Sequence, residues 1–143
     1  MNKRTCGFTL IEVVISITIL GLIIALLSYS FTNQAQVYRL KKAVWEIYSR
    51  LNYARYKAIL RGVKYKVNFD SNSYVVERFD DPKGEWQTEQ RSFFNGVVVA
   101  ANNSPIFHPR GTVSNLASII VQNSRGKYKI SIAISGRIKV VEM

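Results

Sequence analysis

The sequence predicts an α+β chain in which one long N-terminal helix lies against antiparallel β-sheet. Three observations carry this. Residues 8–27 form an apolar run whose only charge is Glu12. Apolar positions then continue at three- and four-residue spacing to about residue 60, and no proline interrupts them. Beyond Gly62 the period changes to two, and short alternating runs are divided by Gly, Asn, Asp and Pro.

The first seven residues are polar and basic, with Lys3 and Arg4, and end in Gly7. The 20 residues that follow are rich in Ile, Leu and Val. As a helix they extend about 30 Å, the thickness of a bilayer core. The charges of Lys3 and Arg4 keep the N-terminus cytoplasmic and send the remainder across, so the expectation is a single-pass membrane protein with an exported C-terminal domain. Glu12 is the anomaly. A carboxylate at the bilayer centre costs roughly 2.5–3.5 kcal/mol on insertion scales. A secretory signal peptide fits poorly, because the apolar run is long and Ser28-Tyr29-Ser30-Phe31 offers no small-x-small cleavage site. A permanent single-span anchor explains the length but not Glu12. A prepilin-type signal, cut between Gly7 and Phe8 with the apolar helix retained, accounts for both.

The amphipathic half of the helix carries its stripe on Val37, Leu40, Val44, Ile47, Leu51, Ala54 and Ala58. Lys42, Glu46 and Arg50 stand at i, i+4 steps on another face, where they are expected to pair. Gly21 is the one point at which the apolar half is expected to bend. Gly62, after Arg61, is a C-cap candidate. The polar face is basic, with Arg39, Lys41, Lys42, Arg50, Arg55, Lys57 and Arg61 against Glu46 and with tyrosines interleaved.

Residues 63–69 alternate, with Val63, Tyr65, Val67 and Phe69 on one face. Asp70-Ser71-Asn72-Ser73 turns the chain into a returning strand over 74–79. Asp80-Asp81-Pro82-Lys83-Gly84 leads to a strand over 86–94, and further strands are expected over 97–100, 118–122, 128–134 and 137–141. The last two flank a two-residue turn, Ser135-Gly136. The organisation expected is a leader (1–7), a membrane or filament-core helix (8–27), an amphipathic helical half (28–61) and an antiparallel β domain (62–143).

Lys3-Arg4-Thr5-Cys6-Gly7, then Phe8-Thr9-Leu10-Ile11-Glu12-Val13-Val14-Ile15, resembles the signature of the type IV pilin and type II secretion pseudopilin superfamily. The resemblance implies cleavage after Gly7 and N-methylation of Phe8 by a prepilin peptidase. The chemistry is coherent. Cleavage creates an ammonium at Phe8 in or near lipid, where a cation needs a counter-ion. Glu12 lies one helical turn on, so it can reach Phe8 of its own chain or of a neighbour. The C-terminal half is similar to the GspH/FimT branch. The matching residues are Phe107-His108-Pro109-Arg110-Gly111, Asn123-Ser124-Arg125-Gly126 and the closing Gly136-Arg137 hairpin. The implied function is a minor pilin or pseudopilin that assembles into, primes or caps a type IV pilus or type II secretion pseudopilus. Its implied partners are other pilins, the prepilin peptidase and an inner-membrane assembly platform. Its implied place is the inner membrane, crossed once with the C-terminal domain periplasmic, and then a periplasmic or surface filament.

The alternative is a DNA-binding minor pilin for DNA uptake. Some members of the branch carry a Gly-Arg-x-Arg tail, where this chain has Gly136-Arg137-Ile138-Lys139. Candidate phosphate contacts are Arg125, Lys127, Lys129, Arg137 and Lys139, with Lys127 and Lys129 on one strand face and Arg137 and Lys139 on another. The net charge of +11 favours anionic partners in general. An acidic segment over residues 70–89 is expected to lie apart, making the domain dipolar.

No catalytic set and no cofactor are expected. The one cysteine, Cys6, lies in the leader, and the one histidine, His108, has no acid nearby in sequence. Asp80, Asp81 and Glu85 lack calcium-loop spacing.

Overall fold

A computed structural model describes residues 9–143, apart from the side chains of residues 28–33. The predicted leader, Gly7 and Phe8 lie outside the described residues. One helix, α1 (Leu10–Arg61), is followed by nine strands. The chain divides into two compact units, the first ending at Ala35 and the second running from Gln36 to Met143.

The first unit is helical from Leu10, and the helix passes through Gly21 without a break. Leu10–Leu27 has a mean hydropathy of 2.8 and is long enough to cross a membrane. Its few hydroxyls are satisfied within the helix. Ser16 Oγ donates to the Glu12 carbonyl (2.7 Å) and Thr18 Oγ1 to the Val14 carbonyl (2.8 Å). That removes a cost that lipid would otherwise impose on an unpaired polar group.

In the second unit, the C-terminal part of α1 presents Leu40, Ala43, Val44, Ile47, Leu51, Ala54 and Ala58 to the core. This is the predicted stripe with two changes. Ala43 joins it, and Val37 is exposed. The helix stops at Gly62, whose φ of +68° is the left-handed geometry of a C-cap and whose N–H reaches the Ala58 carbonyl at 3.1 Å. The expected Lys42–Glu46–Arg50 ladder does not form. Glu46 instead accepts from the Tyr74 hydroxyl (3.1 Å) and from Ser92 Oγ (3.3 Å), and Arg50 donates to Gln90 Oε1 (3.2 Å). Tertiary partners offer these side chains fixed, partly buried contacts that an exposed helical ion pair worth a few tenths of a kcal/mol does not match.

The strands are β1 (Tyr65–Phe69), β2 (Ser73–Asp80), β3 (Glu85–Phe93), β4 (Val98–Ala101), β5 (Ile106–Phe107), β6 (Val113–Ser114), β7 (Ser118–Asn123), β8 (Gly126–Ile132) and β9 (Ile138–Glu142). They form two antiparallel sheets, ordered β3-β2-β1-β5-β6 and β4-β7-β8-β9. The period-two pattern foretells the alternation but not this division. Two backbone hydrogen bonds bridge the sheets, from Val99 N–H to the Ser71 carbonyl and from Val113 N–H to the Ile134 carbonyl, both 2.8 Å. Tyr65, Val67, Tyr74, Val76 and Phe107 from one sheet and Ile119, Val121 and Ile130 from the other share a single core with the helix stripe.

The acidic segment is not set apart. Glu77 pairs with Lys66 at 2.7 Å and Glu89 with Arg61 at 3.2 Å, so two of its carboxylates are interleaved with bases. Strand pairing sets Glu77 opposite Lys66, and the end of α1 brings Arg61 to Glu89, neighbours that the linear sequence hides.

Candidate functional site

Glu12 is the one predicted processing or assembly residue within the described chain. It is exposed, three residues after Thr9. Its N–H donates to Thr9 Oγ1 at 3.3 Å, and its carboxylate accepts the Thr9 N–H at 3.4 Å. This reciprocal arrangement is a capping box. The Thr9-x-x-Glu12 spacing that signals it is visible in the sequence, yet it is masked there by the larger question of a charge in an apolar run. The box holds the Glu12 carboxylate back toward the start of the helix, where it also opposes the positive end of the helix dipole.

In the second unit, the residues of the C-terminal signature converge on one side chain that sequence reasoning leaves on a generic basic face. Arg55 Nε donates to the Gly111 carbonyl (3.2 Å), and Arg55 Nη2 donates to the Ser135 carbonyl (3.1 Å). Gly136 packs directly beneath. A Cβ there would stand 2.5 Å from Arg55 Nε and 2.6 Å from the Gly111 oxygen, at a φ of +79°. Gly111, at φ +80°, faces Ile59 Cδ1. One guanidinium therefore clasps the loop between β5 and β6 to the loop between β8 and β9. Around it, His108 Nε2 lies 2.8 Å from Ser114 Oγ, and its N–H meets the Thr112 carbonyl at 2.9 Å, so His108 serves the loop.

A second polar node sits where α1 ends. The Tyr65 hydroxyl donates to Glu89 Oε2 (2.7 Å) and receives from Arg61 Nη1 (2.9 Å). Burial, reinforced by the Glu89 carboxylate and opposed by Arg61, pushes the Tyr65 phenol up to about 12.

The candidate phosphate-binding residues are arranged differently from expectation. Cross-strand register puts Lys129 opposite Val141 and Ser131 opposite Lys139. Residues 127, 129 and 139 therefore share the outer face of one sheet, in place of two faces. The turn between β8 and β9 is also longer than two residues. Ala133 N–H bonds to the Arg137 carbonyl, and Gly136 N–H bonds back to the Ala133 carbonyl, both at 2.9 Å. A positive-φ glycine closing such a loop is the bulged form of a hairpin turn. Arg137 thus lies in the loop, exposed, and Arg125 sits in the β7–β8 turn, where its N–H bonds to Asn123 Oδ1 at 2.9 Å.

Comparison with known proteins accounts for both units. Residues 2–28 match the prokaryotic N-terminal methylation motif. Residues 43–136 match the family described as type II transport protein GspH. The chain belongs to the GspH family. Solved structures that share its fold include a pseudopilin and a pilin. The minor pseudopilin EpsH from the type 2 secretion system of Vibrio cholerae is 16% identical, with 73% of this chain and 97% of that one covered and a TM-score of 0.63. The type IV minor pilin FimU of Pseudomonas aeruginosa is 15% identical, with 71% and 87% covered and a TM-score of 0.59. No curated protein matches. As a GspH-family chain this is a minor pilin or pseudopilin, a subunit that assembles with other pilins in a filament, and its apolar helix and motif mark it as membrane-anchored. The DNA-binding alternative finds no support in these comparisons.

Proposed function

We propose that the chain is made with a seven-residue leader, cut after Gly7 and N-methylated at Phe8 by a prepilin peptidase. It then enters a filament through its apolar helix, with residues 62–143 displayed on the periplasmic side. Glu12 supplies the negative charge that the new Phe8 ammonium needs. The observation that carries this reading is the capping box. Its carboxylate accepts the N–H of Thr9, the residue that follows the terminus created by the cut. A cation placed there is within one helical turn of Glu12, and burial in lipid or in a bundle of helices strengthens their attraction. When a subunit is drawn past its neighbours, the same carboxylate can exchange its own terminus for a neighbouring one, which fixes the axial step.

The test separates processing from assembly. Mass measurement of the wild-type chain from its host should show loss of residues 1–7 and a methylated Phe8. Gly7→Leu should leave the leader attached. Glu12→Gln should be processed as wild type yet be depleted from the filament fraction. Wild-type levels of Glu12→Gln in filaments would sink the role of the charge, and an intact leader on the wild-type chain would sink the processing.

A further inference from the structure

Among the described residues four strands lie at sheet edges, and three of these edges are blunted by a bulge, by shortness or by bonds to neighbouring loops. β3 has a register shift opposite Val76 and Glu77, and its side chains are tied to the helix through Gln90, Glu89 and Ser92. β4 is held by the Val99–Ser71 bond, and β6 has two residues and the Val113–Ile134 bond. β9 differs. Register and the bonds at its two ends, Arg137 to Ala133 and Met143 to Lys127, turn the backbone groups of residues 137, 139, 141 and 143 toward β8. The N–H and C=O groups of Ile138, Val140 and Glu142 therefore face away from the sheet. Beside that open edge runs a groove of about 250 Å³ lined by Lys41, Val44, Trp45, Tyr128 and Val140. Trp45 in its wall is 66% exposed. An unpaired edge beside an apolar groove is the arrangement that strand addition uses, with main-chain bonds for affinity and alternate side chains for selection.

We infer that the outer edge of β9 takes up an extended strand from a neighbouring pilin-like subunit, an inference that rests on the filament-subunit reading. Charge defines the strand. Its outward side chains would lie alongside Lys139, with Lys129 diagonal to it on β8 and Lys127 beyond, so they are acidic. Its inward side chains enter the groove beside Trp45, under Lys41, so they are apolar.

The experiment follows the full-length chain in its host, in the sheared filament fraction. Val140→Pro deletes an N–H that points away from β8, so the ladder within the sheet is kept while the docking edge is blocked. Val140→Thr keeps the N–H. Val140→Pro should fall at least about tenfold in the fraction, the change expected for about 1.4 kcal/mol of lost contact, and Lys139→Glu should fall too. Val140→Thr should match wild type. Backbone exchange gives an arm that does not depend on a variant folding. The amides of Ile138, Val140 and Glu142 should exchange quickly in the isolated chain and slowly in filaments. Filaments in which those amides exchange as fast as in the isolated chain, or a folded Val140→Pro that incorporates like wild type, overturn the inference. Absence of the wild-type chain itself from the fraction overturns the filament reading and this inference together.

Discussion

Gly136 and Gly111 make a controlled pair at the scale of single residues. Both have positive φ, so each resists a side chain by about 1–2 kcal/mol on backbone grounds alone. Their surroundings differ. A Cβ on Gly136 meets a guanidinium and a carbonyl oxygen, whereas one on Gly111 meets Ile59 Cδ1 at 3.2 Å, the far end of a flexible side chain. Gly136→Ala should therefore cost more than Gly111→Ala, by about 1–3 kcal/mol from displacing the clasp, measured by urea unfolding. Arg55→Ala should remove the guanidinium's share of that difference and leave the share due to the Gly111 carbonyl oxygen, 2.6 Å from the Cβ position. Tyr65 supports a second prediction. Its phenol titrates at about 12 in the folded chain against 10.0 for an ordinary tyrosine. In that interval the unfolded chain has lost the proton and the folded chain has kept it. Stability from this group is complete below pH 10 and disappears as pH rises toward 12. Tyr65→Phe should flatten that alkaline limb in unfolding midpoints taken across the interval. Tyr74 and Tyr128, also raised, chiefly by burial, leave part of the slope in place.

At the scale of elements, α1 depends on its stripe and on a well-placed stop. Leu51, on the stripe of α1, is fully buried in the core, and Leu51→Ala should destabilise by about 2–5 kcal/mol. Gly62→Ala should cost only the backbone's about 1–2 kcal/mol, because nothing lies within 4 Å of a Cβ there and only the left-handed backbone objects. The contrast between the two, read by thermal unfolding, tests whether packing or capping dominates. These are also the features most legible in the sequence. A 3.6-residue stripe, a terminal glycine and a period-two hairpin are local signals, and each appears within a residue or two of its expected place. What was hidden is non-local or very short. β5 and β6 have two residues each, too few to show a period. Glu46 offers Lys42 and Arg50 at helical spacing, yet Tyr74 and Ser92 claim it from distant strands. Arg55 reads as one more base on a solvated face until two loops arrive at it.

For the whole molecule, charge is the unbalanced quantity. There are 20 Lys and Arg against nine acids, so bases stay in excess however the acids pair, as Glu89 does with Arg61 and Glu77 with Lys66. Self-repulsion among the remaining bases therefore outweighs the attraction that salt would screen. Raising salt from low levels to about 0.5 M, where the screening length is only a few Å, should raise the unfolding temperature of the purified chain. A fall would show that the pairs Arg61–Glu89 and Lys66–Glu77 matter more than the excess. The same excess explains why composition pointed toward anionic partners in general. It specifies a sign, while the register of β8 and β9 decides which lysines stand together.

The Arg55 clasp has a kinetic side. Its two hydrogen bonds close stretches of 56 and 80 residues. The entropy of such closures is lost before the bonds return anything, and chains dominated by distant contacts fold slowly. The helix, built from neighbours in sequence, can form long before the loops find its arginine. Until the strands on either side of those loops have packed against it, its apolar stripe stands uncovered. For a subunit tethered at a membrane among others of its kind, that interval is when wrong partners are most easily met.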